Sequence, residues 1–462
     1  MVERRFNHYL ERVRELCRIP SVSATGQGIA ETADAVAGLI REAGGTAELV
    51  ETPGHPVVLG DIPGPAGTPR LLRYGMYDVQ PPEGDWSSPP FAAEIVDLPG
   101  VGPAVVGRGT ANSKGSLAAF FCALDALREA GEVPVSFGLV IEGEEELGSP
   151  HLPGVVRDRA SDLAADAGVD FDLCADRTGA ADLILGCKGL LSLEVSCRSG
   201  EWGGPVKPLH SSEAAWIASP VWALIHALAS IVGPEEQILV PALLQAARGP
   251  GEEDRRLLHE LAEAFDPEEH LREAGATRYK LSGSSAELLE NLIFRPTVNI
   301  DGLDAGYTGP GGMTIIPDVA RAVLDVRLVP DLEPESATAM IRERLDQAGW
   351  GFVDVTQLDS YPWAKADPGS AVARAMRASY ERLGHRTLPY PMAPWCAPFY
   401  IFDRILGIRW ASGGLGHSGG AHAPDEFISV EGLKEHIMGV AEFCLAFAEL
   451  APVPAGEREA GA

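Results

Sequence analysis

Acidic and histidine side chains follow several apolar runs of this sequence, at the places where buried strands are expected to end. Asp78 follows the run LLRYGMY, the acidic segment 142–146 closes the run VSFGLVI, and Asp176 follows FDLCA. His417 and His422 lie in a glycine-rich loop near the C-terminus. Taken singly, an aspartate after a strand is more often a helix cap, and EGEEE is more often a solvated turn. Taken together, these carboxylates and imidazoles are the ligands that a metal site needs.

Strands that alternate with helices are expected to position these side chains. The strand patterns PVVLGDI, LLRYGMYD, VSFGLVIEG and FDLCAD are separated by helical patterns at 30–43 and in SLAAFFCALDALREAG. This alternation predicts an α/β fold with a mostly parallel sheet and helices on both faces. The candidate site would then lie at the carboxyl ends of the strands.

A second domain is expected in the middle of the chain. From about residue 188 the pattern changes to antiparallel-type strands, such as LLSLEVSCRSG and RAVLDVRLVPDL, with helices between them. A chain of 462 residues is also too long for one ordinary core. We therefore expect one α/β domain formed by residues 1–187 and 365–462, interrupted by an inserted α+β domain at 188–364.

Composition and charge narrow the classes of partner. The formal net charge of −29 argues against binding of nucleic acid and of anionic membrane surfaces, which would repel the chain. Seven scattered cysteines form no CxxC pair, which indicates buried thiols in a reducing compartment. The N-terminal segment has no apolar core of signal-peptide length, and no apolar run reaches the length of a membrane span. We therefore expect a cytoplasmic protein.

Nearly the whole chain carries ordered motifs: GMYDVQP, GRGTANSKG, EGEEELGS, CAD followed by GCKGL, LHSS, NIDGL, IIPDVARAVLDVRLVPD and AHAPDEF. This series resembles the M20 family of metallo-carboxypeptidases, dipeptidases and deacylases, particularly its carnosine-dipeptidase-like branch. The resemblance implies a catalytic α/β domain with two zinc ions and an inserted lid domain that commonly dimerises. It therefore implies a homodimer, formed through residues 188–364.

The resemblance also implies roles for residues of the catalytic domain. Glu145 falls on the family's general base, which deprotonates the attacking water. Glu146, Asp176 and His422 fall on metal ligands. Asp78 falls on the carboxylate that orients the first histidine ligand.

Three residues of the inserted domain match the family as well. His210, in LHSS, matches the lid histidine that crosses the dimer interface and stabilises the tetrahedral oxyanion. Asn299 and Arg327 match residues that hold the carboxylate end of the substrate. A planar guanidinium suits that task because it can bind a carboxylate with two hydrogen bonds.

The sequence departs from the family mainly at the site. Met76 stands where the family has a histidine ligand, and Asn112 stands where it has an aspartate that bridges two zinc ions. A thioether is a poor zinc ligand, and a neutral amide cannot bridge two divalent cations as a carboxylate does. The family's Gly-Gly-Ser/Thr loop is replaced by a segment with Trp395 and Cys396, which we expect to line the substrate site. Met313 stands where a lysine is usual.

Three interpretations remain open. The first is an M20-type hydrolase that cleaves an amide bond of a small peptide or an N-acyl amino acid with a single zinc ion. Its ligands would be Glu146, His422 and either Asp176 or Asn112, and three protein ligands with water suffice for catalytic zinc. The second is a metal-independent enzyme for acyl transfer or amide formation on an amino-acid-like ligand, and the third is a non-catalytic homologue. The retained Glu145 favours the first.

Overall fold

The chain folds into two compact units in a computed structural model that describes residues 1–131, 133–173 and 179–451. The first unit contains both ends of the chain, and the second is formed mainly by its middle. A six-residue segment with Trp395 and Cys396 also belongs to the second unit. The first unit comprises Met1–Gly186, Lys365–Pro391 and Pro398–Ala462, and the second comprises Cys187–Ala364 and Met392–Ala397.

An eight-stranded sheet forms the centre of the first unit. Its middle strands pair in parallel, whereas antiparallel pairs occur towards one edge and beside Trp410–Gly414. The predicted α/β class with a mostly parallel sheet is therefore confirmed. The strands follow the order Thr46–Val50, Val57–Ile62, Ser136–Glu142, Arg70–Met76, Ala167–Phe171, Trp410–Gly414, Ala181–Ile184 and Thr387–Tyr390.

Helices of the first unit bury apolar side chains against this sheet. Lys114–Ala130 is apolar on most of its surface, and Phe120 contacts Phe137 and Phe171 of the sheet, with ring centroids 5.1 and 6.0 Å apart. The helix predicted at 30–43 spans Ile29–Glu42. The other helices are Val2–Arg18, Leu152–Asp158, Ala371–Arg382 and Val430–Leu450, with a 3₁₀ turn at Glu145–Leu147 and a π-helical turn at Ile401–Ile405.

A small antiparallel sheet joins two distant parts of the first unit. It pairs strands from residues 94–106 with strands from residues 418–429, in the order Ser418–Gly419, Phe427–Ser429, Gly102–Val106 and Glu94–Leu98. The GRGTANSKG loop leaves this sheet after Val106, and the loop with His422 enters it before Phe427. The pairing therefore places these two loops side by side.

The second unit is an antiparallel sheet covered by helices. Its strands follow the order Thr297–Ala305, Val319–Leu328, Gly189–Arg198 and Asp354–Tyr361. Alternate side chains of Val319–Leu328 are buried, as expected for a sheet with one face towards a core. The helices are Pro220–Ile231, Pro241–Ala246, Glu252–Ala262, Pro267–Glu273, Ser285–Phe294 and Pro334–Gln347, and a short ribbon pairs Leu209–His210 with Ile315–Ile316.

The described residues contain neither a membrane-spanning helix nor a disulfide. Within these ranges, none of the helices combines the length and the apolarity that crossing a bilayer requires. The six described cysteines form no disulfide with one another, and five of them are buried. Cys174 lies outside the described residues.

His436 is a buried titratable group of the first unit. It lies in the helix Val430–Leu450, its Nδ1 atom donates to the Leu415 carbonyl oxygen at 3.1 Å, and it lines a small cavity together with Phe171 and Tyr380. Its Nε2 atom has no hydrogen-bond partner among the described residues. Burial, together with the positive charge of Arg73, lowers the pKa of His436 to about 4.

We predict that His436 makes the protein less stable in mild acid. An unfolded histidine takes up a proton near pH 6.5, whereas folded His436 resists protonation down to about pH 4, so stability falls as the pH falls through that window. Between pH 7.5 and pH 5 this group should account for a loss of about 2 kcal/mol. Urea unfolding at both pH values should show that His436→Asn removes this part of the pH dependence, while the exposed control His8→Asn does not. Equal pH dependence in parent and His436→Asn would contradict the assignment.

Candidate active site

The carboxyl ends of two neighbouring parallel strands define the candidate site in the first unit. Arg70–Met76 and Ser136–Glu142 run in register, with Met76 opposite Glu142. Directly after them, the Asp78 carboxylate accepts the backbone N–H groups of Glu145 and Glu146, at 3.2 and 3.1 Å. Asp78 therefore fixes the first turn after the second strand, which carries both glutamates.

Asp78 is fully buried, and this burial raises its pKa to about 7. The hydrogen bonds from the Ser23 side chain and from the backbone oppose the shift, whereas the nearby charge of Glu146 adds to it. A carboxyl with such a pKa can hold or release a proton near neutral pH. The donors that Asp78 binds here are backbone N–H groups and a hydroxyl.

Glu145 is half-buried beside other carboxylates. Burial, followed by the negative charges of Glu146 and Asp78, raises the pKa of Glu145 well above that of an ordinary glutamate. A carboxylate with a raised pKa is a stronger base, which is the property that a proton acceptor in catalysis requires.

Glu146 is the centre of a hydrogen-bonded cluster. Its Oε2 atom accepts from Gln80 Nε2 at 2.8 Å, and its Oε1 atom accepts from Asn112 Nδ2 at 3.0 Å. The Oε1 atom also lies 3.1 Å from His422 Nε2. The side chain of Glu146 is 5% exposed, compared with 54% for His422, so the cluster opens to solvent on the histidine side.

His422 reaches this cluster from a loop with unusual backbone geometry. Its φ angle is +64°, in the left-handed region that few residues other than glycine adopt, and such outliers are concentrated at functional sites. The hydrogen bond with Glu146 raises the pKa of His422 above its usual value. The ring nitrogen Nε2 also lies 2.9 Å from Asn112 Nδ2.

The loop that carries Asn112 is held by a buried carboxylate. Glu426 Oε1 accepts the backbone N–H groups of Gly109, Ala111 and Asn112, at 3.1, 2.9 and 2.8 Å. Glu426 Oε2 accepts from Arg108 Nη1 at 2.7 Å, and the two side chains are 0% and 1% exposed. The position of the Asn112 backbone therefore depends on Glu426.

Met76 is described by the structure, whereas the predicted metal ligand Asp176 is not. Met76 is buried at the end of its strand, and it places a thioether at the position that the resemblance assigns to a histidine ligand. Asp176 lies outside the described residues. The structure thus brings together Asp78, Glu145, Glu146, Asn112 and His422.

In the second unit, the predicted carboxylate-binding arginine already has partners. Arg327 donates from Nε and Nη2 to Asp325 Oδ2, at 3.1 and 2.8 Å. It also donates from Nη1 to Cys396 Sγ at 3.3 Å. Asp325 therefore orients the guanidinium, and Cys396 contacts its outer nitrogen.

The other predicted residues of the second unit lie on separate elements. Asn299 is exposed on the strand next to that of Arg327, and it donates to Asp301 Oδ1 at 2.8 Å. His210 contacts Ser212 through Nδ1 and lies 3.0 Å from Thr314 Oγ1 through Nε2. Trp395 and Met313 are 41% and 55% exposed, respectively.

Three residues of these clusters received no role from the sequence. Gln80 lies in the GMYDVQP motif, two residues beyond Asp78. Its place in this motif could have identified it as a residue of the site. Asp325 lies two residues before Arg327 on one strand, where alternate side chains share a face. Glu426 had no local signal, because it binds a loop more than 300 residues away in sequence.

The cluster around Glu146 contains few side chains that can bind a metal ion. Glu146 and His422 supply a carboxylate and an imidazole 3.1 Å apart, which are two of the three protein ligands that a catalytic zinc ion takes. A second ion would depend on the Met76 thioether and a neutral Asn112 amide, which do not fit it. Within the described ranges, histidine, cysteine, aspartate and glutamate form no group of three or more that could hold a metal.

This fold and this set of residues belong to a known class of peptidases. The model of peptidase family M20/M25/M40 matches residues 73–446. The chain therefore belongs to this family, and the resemblance drawn from its motifs is confirmed.

Relatives and a solved structure agree with this assignment. The Cys-Gly metallodipeptidase of Schizosaccharomyces pombe is 26% identical over 368 residues, which cover 75% of this chain and 74% of the relative. The Beta-Ala-His dipeptidase of Rattus norvegicus is 27% identical over 304 residues, which cover 64% of this chain and only 58% of the relative. An M20 metallo-carboxypeptidase from Sulfolobus solfataricus is 31% identical, with a TM-score of 0.88 and coverage of 96% and 99%.

Proposed function

We propose that this protein is a hydrolase that cleaves the amide bond of a small peptide or an N-acyl amino acid, with a single divalent ion, most simply zinc. One observation carries the proposal. Glu145 has a raised pKa, and it lies just after a strand end, next to the cluster of Glu146 and His422. The family membership and the names of the relatives support the reaction class.

The side chains of the first unit have distinct tasks in this proposal. Glu145 accepts the proton of the attacking water and returns it to the leaving amine. Asp78 holds the backbone of Glu145 and Glu146 and thereby aims both carboxylates. Glu146 and His422, with Asp176 or Asn112, would hold the ion. A divalent ion in this place polarises the amide carbonyl and lowers the pKa of water.

The second unit is proposed as the lid and dimerisation domain. Arg327, oriented by Asp325, would bind the carboxylate end of the substrate together with Asn299. His210 would stabilise the oxyanion that forms during the reaction. Trp395 and Cys396 would narrow the space around the substrate, since both lie in the segment beside Arg327.

A second candidate is a metal-independent enzyme for acyl transfer or amide formation. Two observations favour it. Met76 places a thioether where the resemblance assigns a histidine ligand, and Cys396 contacts the arginine proposed to bind the substrate carboxylate. A non-catalytic homologue is the third. Metal analysis of protein purified without chelator separates them: about one ion per chain supports the hydrolase, none supports the alternatives, and two would mean that Met76 does not prevent a second ion.

The first prediction concerns the proton acceptor. Glu145→Gln should lower hydrolysis of Cys-Gly and β-Ala-His dipeptides by ~10²–10⁴-fold while the fold is kept, because only a proton acceptor is lost. Steady-state kinetics and thermal unfolding measure the two effects. The exposed Glu83→Gln is the matched control and should retain activity. If Glu145→Gln hydrolyses as fast as the parent, Glu145 is not the base.

The second prediction concerns the number of ions. Met76→His combined with Asn112→Asp should raise bound zinc from about one to about two per chain, because it supplies an imidazole and a bridging carboxylate. Elemental analysis after equilibration with zinc measures this. Met313→His with Asn291→Asp introduces the same residue types elsewhere and should not change the number. No additional zinc in the double variant would show that the pocket itself excludes a second ion.

The third prediction concerns assembly as a homodimer. The strand Thr297–Ala305 is an edge of its sheet and exposes Ile300 and Leu303 by 50% and 56%, so it can pair with a second copy. Ile300→Lys should shift the sedimentation coefficient from dimer to monomer. Leu358→Lys, which places the same charge on the opposite edge strand, should leave the dimer intact. A parent protein that sediments as a monomer would refute the proposal.

The location remains the cytoplasm in this proposal. The absence of a disulfide among the six described cysteines suits a reducing compartment. Recovery of the protein from a secreted or periplasmic fraction of its source cells would contradict it.

A further inference from the structure

Lys188, in the GCKGL motif, is a buried charged residue of the second unit that has no task in the proposed reaction. It is 2% exposed, and its Nζ atom donates to the Arg295 carbonyl oxygen at 2.6 Å. Among the described residues, this neutral oxygen is the one hydrogen-bond acceptor of the ammonium group, and no carboxylate forms an ion pair with it. A buried charge with so little compensation is costly, and an anion close to it lowers that cost.

The sheet of the second unit places this ammonium group beside the arginine that is proposed to bind the substrate carboxylate. Lys188 directly precedes one strand, Arg295 lies two residues before another, and the strand that carries Arg327 runs between them. Arg327 is opposite Leu190 on one side and Thr297 on the other. To reach the Arg295 carbonyl, the Lys188 side chain therefore crosses the strand of Arg327 near its end.

The charges around Lys188 reflect the same proximity. Burial, followed by the positive charge of Arg327, lowers the pKa of Lys188 to about 8, and the negative charge of Asp325 opposes this shift. The ammonium group therefore keeps its proton at neutral pH. Asp325 Oδ2 already accepts from Nε and Nη2 of Arg327, so one carboxylate faces two cations. Asp301 also lies near Asp325, but it is exposed, and water screens its charge.

The backbone of Lys188 holds the segment that contacts Arg327. Its N–H group donates to the carbonyl oxygens of Ala393 and Trp395, at 3.2 and 3.1 Å. The next residue of that segment, Cys396, contacts Arg327 Nη1 through its sulfur at 3.3 Å. Since these backbone bonds do not use the Lys188 side chain, a substitution of Lys188 removes the charge and keeps the segment in place.

We propose that Lys188 is a specificity-determining residue that supplies a second positive charge to the site where Arg327 binds the carboxylate end of the substrate. The inference rests on the proposed function and narrows its substrates to those with a free carboxylate at that end, in preference to amides or esters. Lys188 acts through its electric field, because water screens a buried charge less than an exposed one. Arg327 supplies the hydrogen bonds, and Lys188 strengthens the attraction for a negative charge.

The test compares two ligands of the full-length chain that differ only in this charge. They are a β-Ala-His analogue whose peptide bond is replaced by CH₂–NH, so that it cannot be hydrolysed, and the C-terminal carboxamide of the same analogue. Isothermal titration calorimetry at pH 7 measures both dissociation constants. The parent should prefer the carboxylate form, and Lys188→Met should lower this preference about tenfold through weaker binding of the carboxylate form alone.

Two further substitutions separate the charge of Lys188 from its hydrogen bond. Lys188→Gln keeps a donor for the Arg295 carbonyl but is neutral, so it should lose the preference as Lys188→Met does. Lys188→Arg keeps the charge and should retain most of the preference. Lys280→Gln is the matched control, because it removes an exposed lysine of the second unit that pairs with Glu236, and it should behave as the parent.

An unchanged preference in Lys188→Met would overturn the inference. The same holds if Lys188→Gln keeps the preference of the parent, because the hydrogen bond and not the charge would then be what matters. If circular dichroism shows that Lys188→Met is unfolded, the comparison of Lys188→Gln with Lys188→Arg decides, and equal preferences refute the inference. A parent that binds both ligands equally well also refutes it.

The outcome for this inference can be separated from that for the proposed function. An unchanged preference in Lys188→Met, in a parent that hydrolyses dipeptides, refutes the second charge and leaves the hydrolase standing. A lowered preference in Lys188→Met, in a parent that binds the carboxylate analogue but hydrolyses no peptide, supports the second charge and refutes the hydrolase.

Discussion

The site of the first unit depends on one buried carboxylate, that of Glu426. Moving a carboxylate and a guanidinium out of water is costly, and the pair is tolerated only when nearly every polar atom finds a partner. Glu426 meets this condition by accepting from Arg108 and from three backbone N–H groups of the loop at 109–112. Since Glu426 lies four residues after His422, one side chain fixes both loops of the candidate ion site. A loss of this carboxylate would leave several buried donors unpaired.

A second buried carboxylate, that of Asp78, also holds backbone N–H groups. Asp78 accepts the backbone N–H groups of Glu145 and Glu146, so the two glutamates are held through their main chain. Side chains at such a site can change without loss of the fold, because the backbone supports do not use them. This separation explains how Met76 and Asn112 can occur in a site whose framework is intact. Asp78 and Glu426 thus maintain the geometry of the candidate site through the backbone.

Much of the fold could be predicted from the sequence, and the site only in part. Alternating strand and helix patterns predicted the sheet class, because each apolar run records burial locally. The proximity of Glu146, Asn112 and His422 was predicted from the order of their motifs along the chain. The role of Glu426 could not be predicted, because its partners lie hundreds of residues away in sequence. The orientation of the Asn112 amide could not be predicted either, since it depends on the hydrogen-bond acceptors around it.

Crowded carboxyl groups are the main electrostatic feature of the candidate site. Asp78, Glu142, Glu145 and Glu146 crowd four carboxyl groups around two strand ends, and burial raises the pKa of the first three. Such crowding is relieved by protons, by hydrogen-bond donors or by a cation. Asn112 contributes a donor hydrogen to Glu146, where an aspartate would add a further carboxyl group. An amide at this position therefore lets hydrogen bonds relieve part of the crowding. The pKa of Glu145 is raised in this arrangement, which is the property that a proton acceptor in catalysis requires.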